Sequence, residues 1–204
     1  MSADISTPST FRDLNRRALK PVVFILCLMP LAWLLTQGLT GGLGANPIEA
    51  LIRGLGDWAL RFLLIALAVT PVRIVTGWLP IARLRRMLGL FAFFYVTLHV
   101  LSYVGLDHLF NLSVLWEDVV KRIYITFGMA ALLMLIPLAV TSTDKMVKRL
   151  GGVAWRRLHR IVYVAAVAAV IHYFLMIKAG YNEPMIYAAI LALLFGVRLY
   201  KKWA

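Results

Sequence analysis

Six long apolar runs follow one another along this chain, at about 21–39, 58–75, 87–106, 122–141, 154–177 and 184–200. Short stretches rich in charge, glycine or proline separate them. Each run is near the roughly 20 residues that a helix needs to cross a hydrocarbon core. The pattern predicts an all-α polytopic membrane protein. Its core is a six-transmembrane-helix bundle over residues 21–201, behind a polar tail, 1–20. The first run is long, and no A-x-A site clearly follows it, so a retained first span is expected rather than a cleaved signal. Pro30 and Pro137 are expected to kink their helices. The stretches GLTGGLGANP (38–47) and GYNEP (180–184) read as turns and helix starts. No internal repeat and no low-complexity segment is evident.

Charge orients the runs. Arg12, Arg16, Arg17 and Lys20 precede the first, and Arg73, Arg83, Arg85 and Arg86 lie between the second and third. Lys145, Lys148, Arg149, Arg156, Arg157 and Arg160 surround the fourth-to-fifth connection, and Arg198, Lys201 and Lys202 close the chain. The alternate connections carry Arg53, Lys121, Arg122 and Lys178 with the acids Glu49, Asp57, Asp107, Glu117, Asp118 and Glu183. The positive-inside rule therefore puts both termini in the cytoplasm. Arg61 falls inside the second run. Snorkelling, or pairing with Asp57, is the first expectation for it, and facing a cofactor carboxylate the second.

Composition sharpens this. The chain has 204 residues, 62% hydrophobic, and a net charge of +13. A soluble domain is about half apolar. Because the basic residues flank apolar runs, the charge reads as topology and anionic-lipid contact, not nucleic-acid binding. The lone Cys27 excludes an internal disulfide and a CxxCH haem attachment, so any haem is non-covalent.

Histidines inside membrane spans are costly and point to function. His99 lies about 12 residues into the third run, roughly 18 Å along the helix and past the midplane. His159 sits near the inner end of the fifth run, and His172 roughly 20 Å deeper. His99 and His172 are thus expected at one depth on parallel helices. Facing imidazoles there would give an intramembrane haem iron both axial ligands. That ligation leaves no open position, so the chemistry would be electron transfer. Phe91, Phe93, Phe94, Tyr95, Tyr103, Tyr163, Tyr173 and Phe174 are available to wall a macrocycle. His159 has no histidine opposite, since the third run carries Arg85 and Arg86 at that level. It is left as a haem ligand with another partner, a second-cofactor residue or a quinone hydrogen-bond partner. Its basic neighbours would suit haem propionates or a phosphate. His108, beside Asp107 at the outer end, is expected to be solvated. The same histidines also suit a cytochrome b of another quinol-linked complex, or serve as structural groups in a small non-redox transporter.

The strings RFLLIALAVTPVR, RRMLGLFAFFYVTLHVLSY and WRRLHRIVYVAAVAAVIHY resemble the MsrQ family, formerly YedZ, over nearly the whole chain. These are haem-binding membrane subunits of bacterial protein-methionine-sulfoxide reductase systems. They belong to the wider ferric-reductase-like transmembrane group, with the NADPH oxidases. The resemblance implies a six-helix bundle in the bacterial inner membrane with haem b and FMN. It implies a non-catalytic electron-transfer subunit, fed by the quinol pool or a cytoplasmic flavin reductase. Its partner would be a periplasmic molybdopterin methionine sulfoxide reductase, in a heterodimer that repairs oxidised proteins. The family's haem histidines carry over onto His99, His159 and His172. The larger oxidases have two histidines on each of two helices; this chain has one on the third. It also lacks their cytoplasmic FAD/NADPH domain, so a diffusible donor is expected. No FMN residue carries over.

Overall fold

A computed structural model describes residues 10–178 and 180–203, with side chains for 19–178 and 180–200. The first nine residues of the tail therefore lie outside the described residues. Among the described ones there are helices and no strands, and six helical segments are long and apolar enough to cross a membrane. The predicted all-α, six-span bundle is what the chain forms.

The first span is α1 (Thr10–Thr40), which starts well before the apolar run. The sequence FRDLNRRALK holds no glycine or proline, so nothing stops the helix there. The second span, α2 (Pro47–Thr76), begins eleven residues earlier than the apolar pattern suggested. Asn46 caps it, accepting a hydrogen bond from the Glu49 N–H at 3.4 Å, and Pro47 opens its first turn. Glu49 and Arg53, read from the sequence as a loop, pair one turn apart along it at 2.5 Å. Gly77, in the left-handed region at φ 68°, ends it.

A short 3₁₀ segment (Leu79–Leu84) leads into α3 (Arg85–Ser102), which widens into a π-helical turn at Tyr103–Asp107. A surface helix, α4 (Leu112–Lys121), precedes α5 (Ile123–Val140), and α6 (Asp144–Leu150) follows it. The fifth apolar run is not one helix. It divides into α7 (Gly152–Leu158) and α8 (Ile161–Met176), with His159 and Arg160 at the break. The sixth span is α9 (Asn182–Trp203).

Helix α2 is the centre of the bundle. Half of its most apolar stretch is buried, against 28% at most in any other span. It packs on α3 most closely, and α5 packs on α8, so the core is two hairpins side by side. Phe62 of α2 stacks on Tyr95 of α3 with ring centres 5.1 Å apart. Tyr95 is fully buried. Its hydroxyl donates to the Cys27 carbonyl at 2.8 Å and accepts from the Leu31 N–H at 3.0 Å. Those two groups would bond to each other in an unbroken helix. Pro30 sits between them, and the hydroxyl fills the gap it opens. The outward faces keep Ile25, Trp33, Leu133, Val164 and Leu193 exposed, as a lipid solvent requires.

Candidate functional site

His99 projects from α3 and His172 from α8 into one cavity of about 510 Å³. Their ring centres are 6.4 Å apart and the ring planes cross at 77°. Each Nδ1 lies against a backbone carbonyl, His99 on Ile52 O at 2.8 Å and His172 on Tyr124 O at 2.6 Å. A carbonyl only accepts, so each Nδ1 carries the proton and donates. Each Nε2 is then left with a free lone pair. A hydrogen bond of this kind fixes ring orientation and raises the basicity of the other nitrogen, as in most metal-bound histidines.

The geometry fits a metal held between the rings. Two imidazoles on opposite sides of one ion, at about 2 Å from metal to nitrogen and about 1.1 Å more to the ring centre, place their centres about 6 Å apart. No group of three or more histidine, cysteine or acidic side chains is placed to hold a metal among the described residues. The remaining positions on such an ion would fall to a macrocycle, which is the chemistry of haem. The cavity has the size of an ordinary cofactor pocket. Ala92, Val96, Leu60, Leu63, Leu135 and Met129 supply apolar wall, and Asn46, Glu49, Arg53, Asp107 and Arg122 a polar rim. The residues present therefore fit a haem.

Two backbone features of the site were not legible beforehand. Gly56 of α2 and Gly128 of α5 lie directly against the His99 and His172 rings. The carbonyls that the histidines meet sit one helical turn before these glycines. The only signals in the sequence were a glycine inside the fourth run, which by itself reads as tolerated, and one just before the second run, which reads as part of the preceding turn.

The other histidines are placed elsewhere. His159 ends α7, outside the lining of this cavity. Its Nε2 is 3.1 Å from the Thr141 hydroxyl, and its ring stacks on Trp155 with centres 3.9 Å apart. The Trp155 indole donates to the Thr141 carbonyl at 2.8 Å. No other histidine accompanies it: the chain has four, and the remaining one, His108, is at the opposite end. His108 is not solvated as the sequence suggested. Its side chain is only 14% exposed, 3.3 Å from Asp118 and 3.5 Å from Asp107. Asp118 is buried, accepts from the Tyr103 hydroxyl at 2.5 Å and pairs with Arg122 at 3.1 Å. The π-helical turn carries His108 inward to this acid.

Arg61 does not make the pairing that was one of the expectations for it. It forms no ion pair with Asp57 among the described residues. Its Nε donates to the Tyr187 hydroxyl at 2.8 Å, and its guanidinium lies over the Trp58 ring at 4.9 Å. Asp57 itself lines the cavity, and Arg61 does not.

Residues 55–170 match the ferric reductase like transmembrane component family, a stretch that contains His99 and His159 and stops two residues short of His172. The chain is 58% identical to the protein-methionine-sulfoxide reductase heme-binding subunit MsrQ of Rhodospirillum rubrum, over 94% of this chain and 91% of that protein. It is 49% identical to the subunit of the same name from Caulobacter vibrioides, over 89% and 85%. It is also 43% identical to the magnetosome protein MamZ of Magnetospirillum gryphiswaldense, over 89% of this chain but 29% of that longer protein.

Proposed function

We propose, from the premise that this chain belongs to the MsrQ family of haem-binding subunits within the ferric-reductase-like transmembrane group, that it conducts electrons across the bacterial inner membrane. The acceptor is a periplasmic molybdopterin methionine sulfoxide reductase with which it forms a heterodimer, and which repairs oxidised periplasmic proteins. The donor is the quinol pool or a cytoplasmic flavin reductase. Both termini are cytoplasmic, residues 1–20 form the tail, and residues 21–201 form the transmembrane domain. The cofactors are haem b and FMN.

The observation that carries this reading is the paired imidazole geometry, with rings 6.4 Å apart and both Nδ1 atoms bound to carbonyls. His99 and His172 are the proposed axial ligands. A haem bound there supplies a one-electron carrier with no open coordination position. The residues do the rest. The Ile52 and Tyr124 carbonyls hold the Nδ1 protons and keep each Nε2 aimed into the cavity. The apolar walls exclude water, which keeps the two imidazoles from turning to other partners.

FMN rests on kinship alone. His159, with Arg85 and Arg86 beside it, offers a positive setting near the basic end, suited to a phosphate or to propionates. Its place at that end, away from the paired imidazoles, supports a role in electron entry rather than as a ligand of the same haem.

The purified protein is expected to show a reducible b-type absorption spectrum. His99→Ala and His172→Ala should each lose most of the haem, whereas His108→Ala should retain it. A full haem complement in both of the first two variants would sink the ligand assignment. A redox titration of the wild type against His159→Ala counts the centres. One component in both proteins supports a single haem on the His99–His172 pair, and two components with one lost in the variant support a second haem at His159.

A further inference from the structure

The two cavity histidines are presented by the same three-part device, once in each hairpin. In the α2–α3 hairpin, Ile52 O receives the His99 imidazole, and Gly56, four residues on, lies under the ring. In the α5–α8 hairpin, Tyr124 O receives His172, and Gly128, again four residues on, lies under that ring. Residues four apart share one helix face, so carbonyl and glycine form one shallow seat. The carbonyl precedes its histidine by 47 residues in the first case and 48 in the second. No repeat is evident in the sequence because the seat needs only a carbonyl, which any residue supplies, and a glycine.

The contacts leave no space for a side chain. A Cβ at Gly56 would stand 3.0 Å from His99 Nδ1 and 3.2 Å from Cε1. A Cβ at Gly128 would stand 2.8 Å from His172 Nδ1, 3.0 Å from Cε1 and 3.3 Å from Cγ. Both values near the Nδ1 atom are at or below the closest approach that carbon and nitrogen tolerate without something moving. A glycine inside a helix weakens it relative to alanine, so these two persist at a cost in helix stability. Gly89 in α3 and Gly196 in α9 form the contrast, since nothing lies within 4 Å of a Cβ built on either.

We propose that Gly56 and Gly128 are positioning residues that set the crossed orientation of the His99 and His172 ring planes, and thereby the electronic state of the metal centre those rings ligate. The proposal rests on the reading that the pair ligates a haem. An imidazole donates π density perpendicular to its plane. Planes near parallel split the two iron d orbitals of that symmetry, and planes near perpendicular leave them close in energy. A crossing of 77° belongs to the second case. Low-spin ferric haem then gives one intense feature at very low field instead of three resolved lines. Each seat fixes its ring on the Nδ1 side, by the hydrogen bond from Nδ1 to the carbonyl and by close packing of Nδ1 and Cε1 on the glycine. Adding a methyl group forces that ring to turn or to leave its carbonyl.

The test uses the full-length protein purified with its haem. Frozen-solution EPR of the oxidised form and a redox titration are compared for wild type, Gly56→Ala, Gly128→Ala and Gly89→Ala. The wild type is expected to show the single low-field feature. Gly56→Ala and Gly128→Ala should keep a b-type optical spectrum but move the low-field g value and the midpoint potential, Gly128→Ala by more because its contact is closer. Gly89→Ala should superimpose on wild type. Spectra of Gly56→Ala and Gly128→Ala that superimpose on wild type would overturn the proposal, as would a three-line spectrum of the wild type itself. Should Gly128→Ala aggregate, Gly56→Ala and the wild-type spectrum decide between these outcomes. Failure of the underlying reading looks different: His99→Ala or His172→Ala would then keep the low-spin signal whatever the glycines do.

Discussion

Tyr95 shows how much one buried hydroxyl can settle. It serves both backbone groups that Pro30 separates in α1, at 2.8 and 3.0 Å, from a position with no exposure. Tyr95→Phe preserves the ring stacked on Phe62 and removes only the oxygen. An unsatisfied buried polar group costs about 1–3 kcal/mol, so the variant should unfold more easily by that order, or up to twice it if both groups stay bare. Thermal unfolding in detergent measures this. A melting temperature equal to wild type would show that the hydroxyl does not bridge the helix. At the same scale, the histidines of the cavity were readable because a titratable ring inside an apolar run is rare and expensive. The glycines and the Tyr187 partner of Arg61 were not. Tyr187 is 126 residues from Arg61, and nothing local in either segment points to the other.

At the scale of elements, the break between α7 and α8 is the clearest departure from the apolar pattern. The fifth run, drawn over 154–177, holds no glycine or proline at His159 and Arg160, so pattern alone predicts one helix. Two hydrogen-bonding partners at the end of α5 decide otherwise: the Thr141 hydroxyl receives His159 and the Thr141 carbonyl receives Trp155. The nearby α6 is tied to the start of α3 by an ion pair between Arg86 and Asp144. Arg86 beside Asp144 holds that carboxyl below the usual carboxylate range. A depressed folded value stabilises above the unfolded pKa of about 4 and ceases to do so as pH falls through the lower folded one. Asp144→Asn should therefore melt slightly below wild type at pH 7 in low salt. The two curves should converge as the pH drops below the carboxylate range, and in high salt, because the pair is exposed. A difference that grows in acid would assign the effect to something other than this pair.

For the whole molecule, orientation is the property on which the proposed direction of electron flow depends. One end of the bundle gathers α6, α7 and the basic connections, and the other gathers α4 and the polar rim of the cavity. The single Cys27 is buried at 3% exposure, so the wild type gives a low background with a membrane-impermeant maleimide. Ser113→Cys, on the exposed face of α4, should label in intact spheroplasts. Lys145→Cys, in α6, should label only after the membrane is permeabilised. The reverse pattern would put the cavity on the cytoplasmic side and overturn the donor and acceptor sides proposed above.

The sequence by itself determined the class and the number of spans, and it singled out the histidines inside those spans as candidates for chemistry. These follow from one-dimensional facts: a lipid core demands about 20 apolar residues per helix, and a histidine placed there stands out against them. Its motifs also pointed to the family that the relatives bear out. Only the tertiary structure decided where α2 begins, why the fifth run breaks, and that His108 turns in toward Asp118. It alone decided how the rings of His99 and His172 are seated. The reason is that those features depend on backbone carbonyls and on the room left by an absent side chain. Neither has a letter in the sequence, and both exist only once two helices from distant parts of the chain are brought face to face.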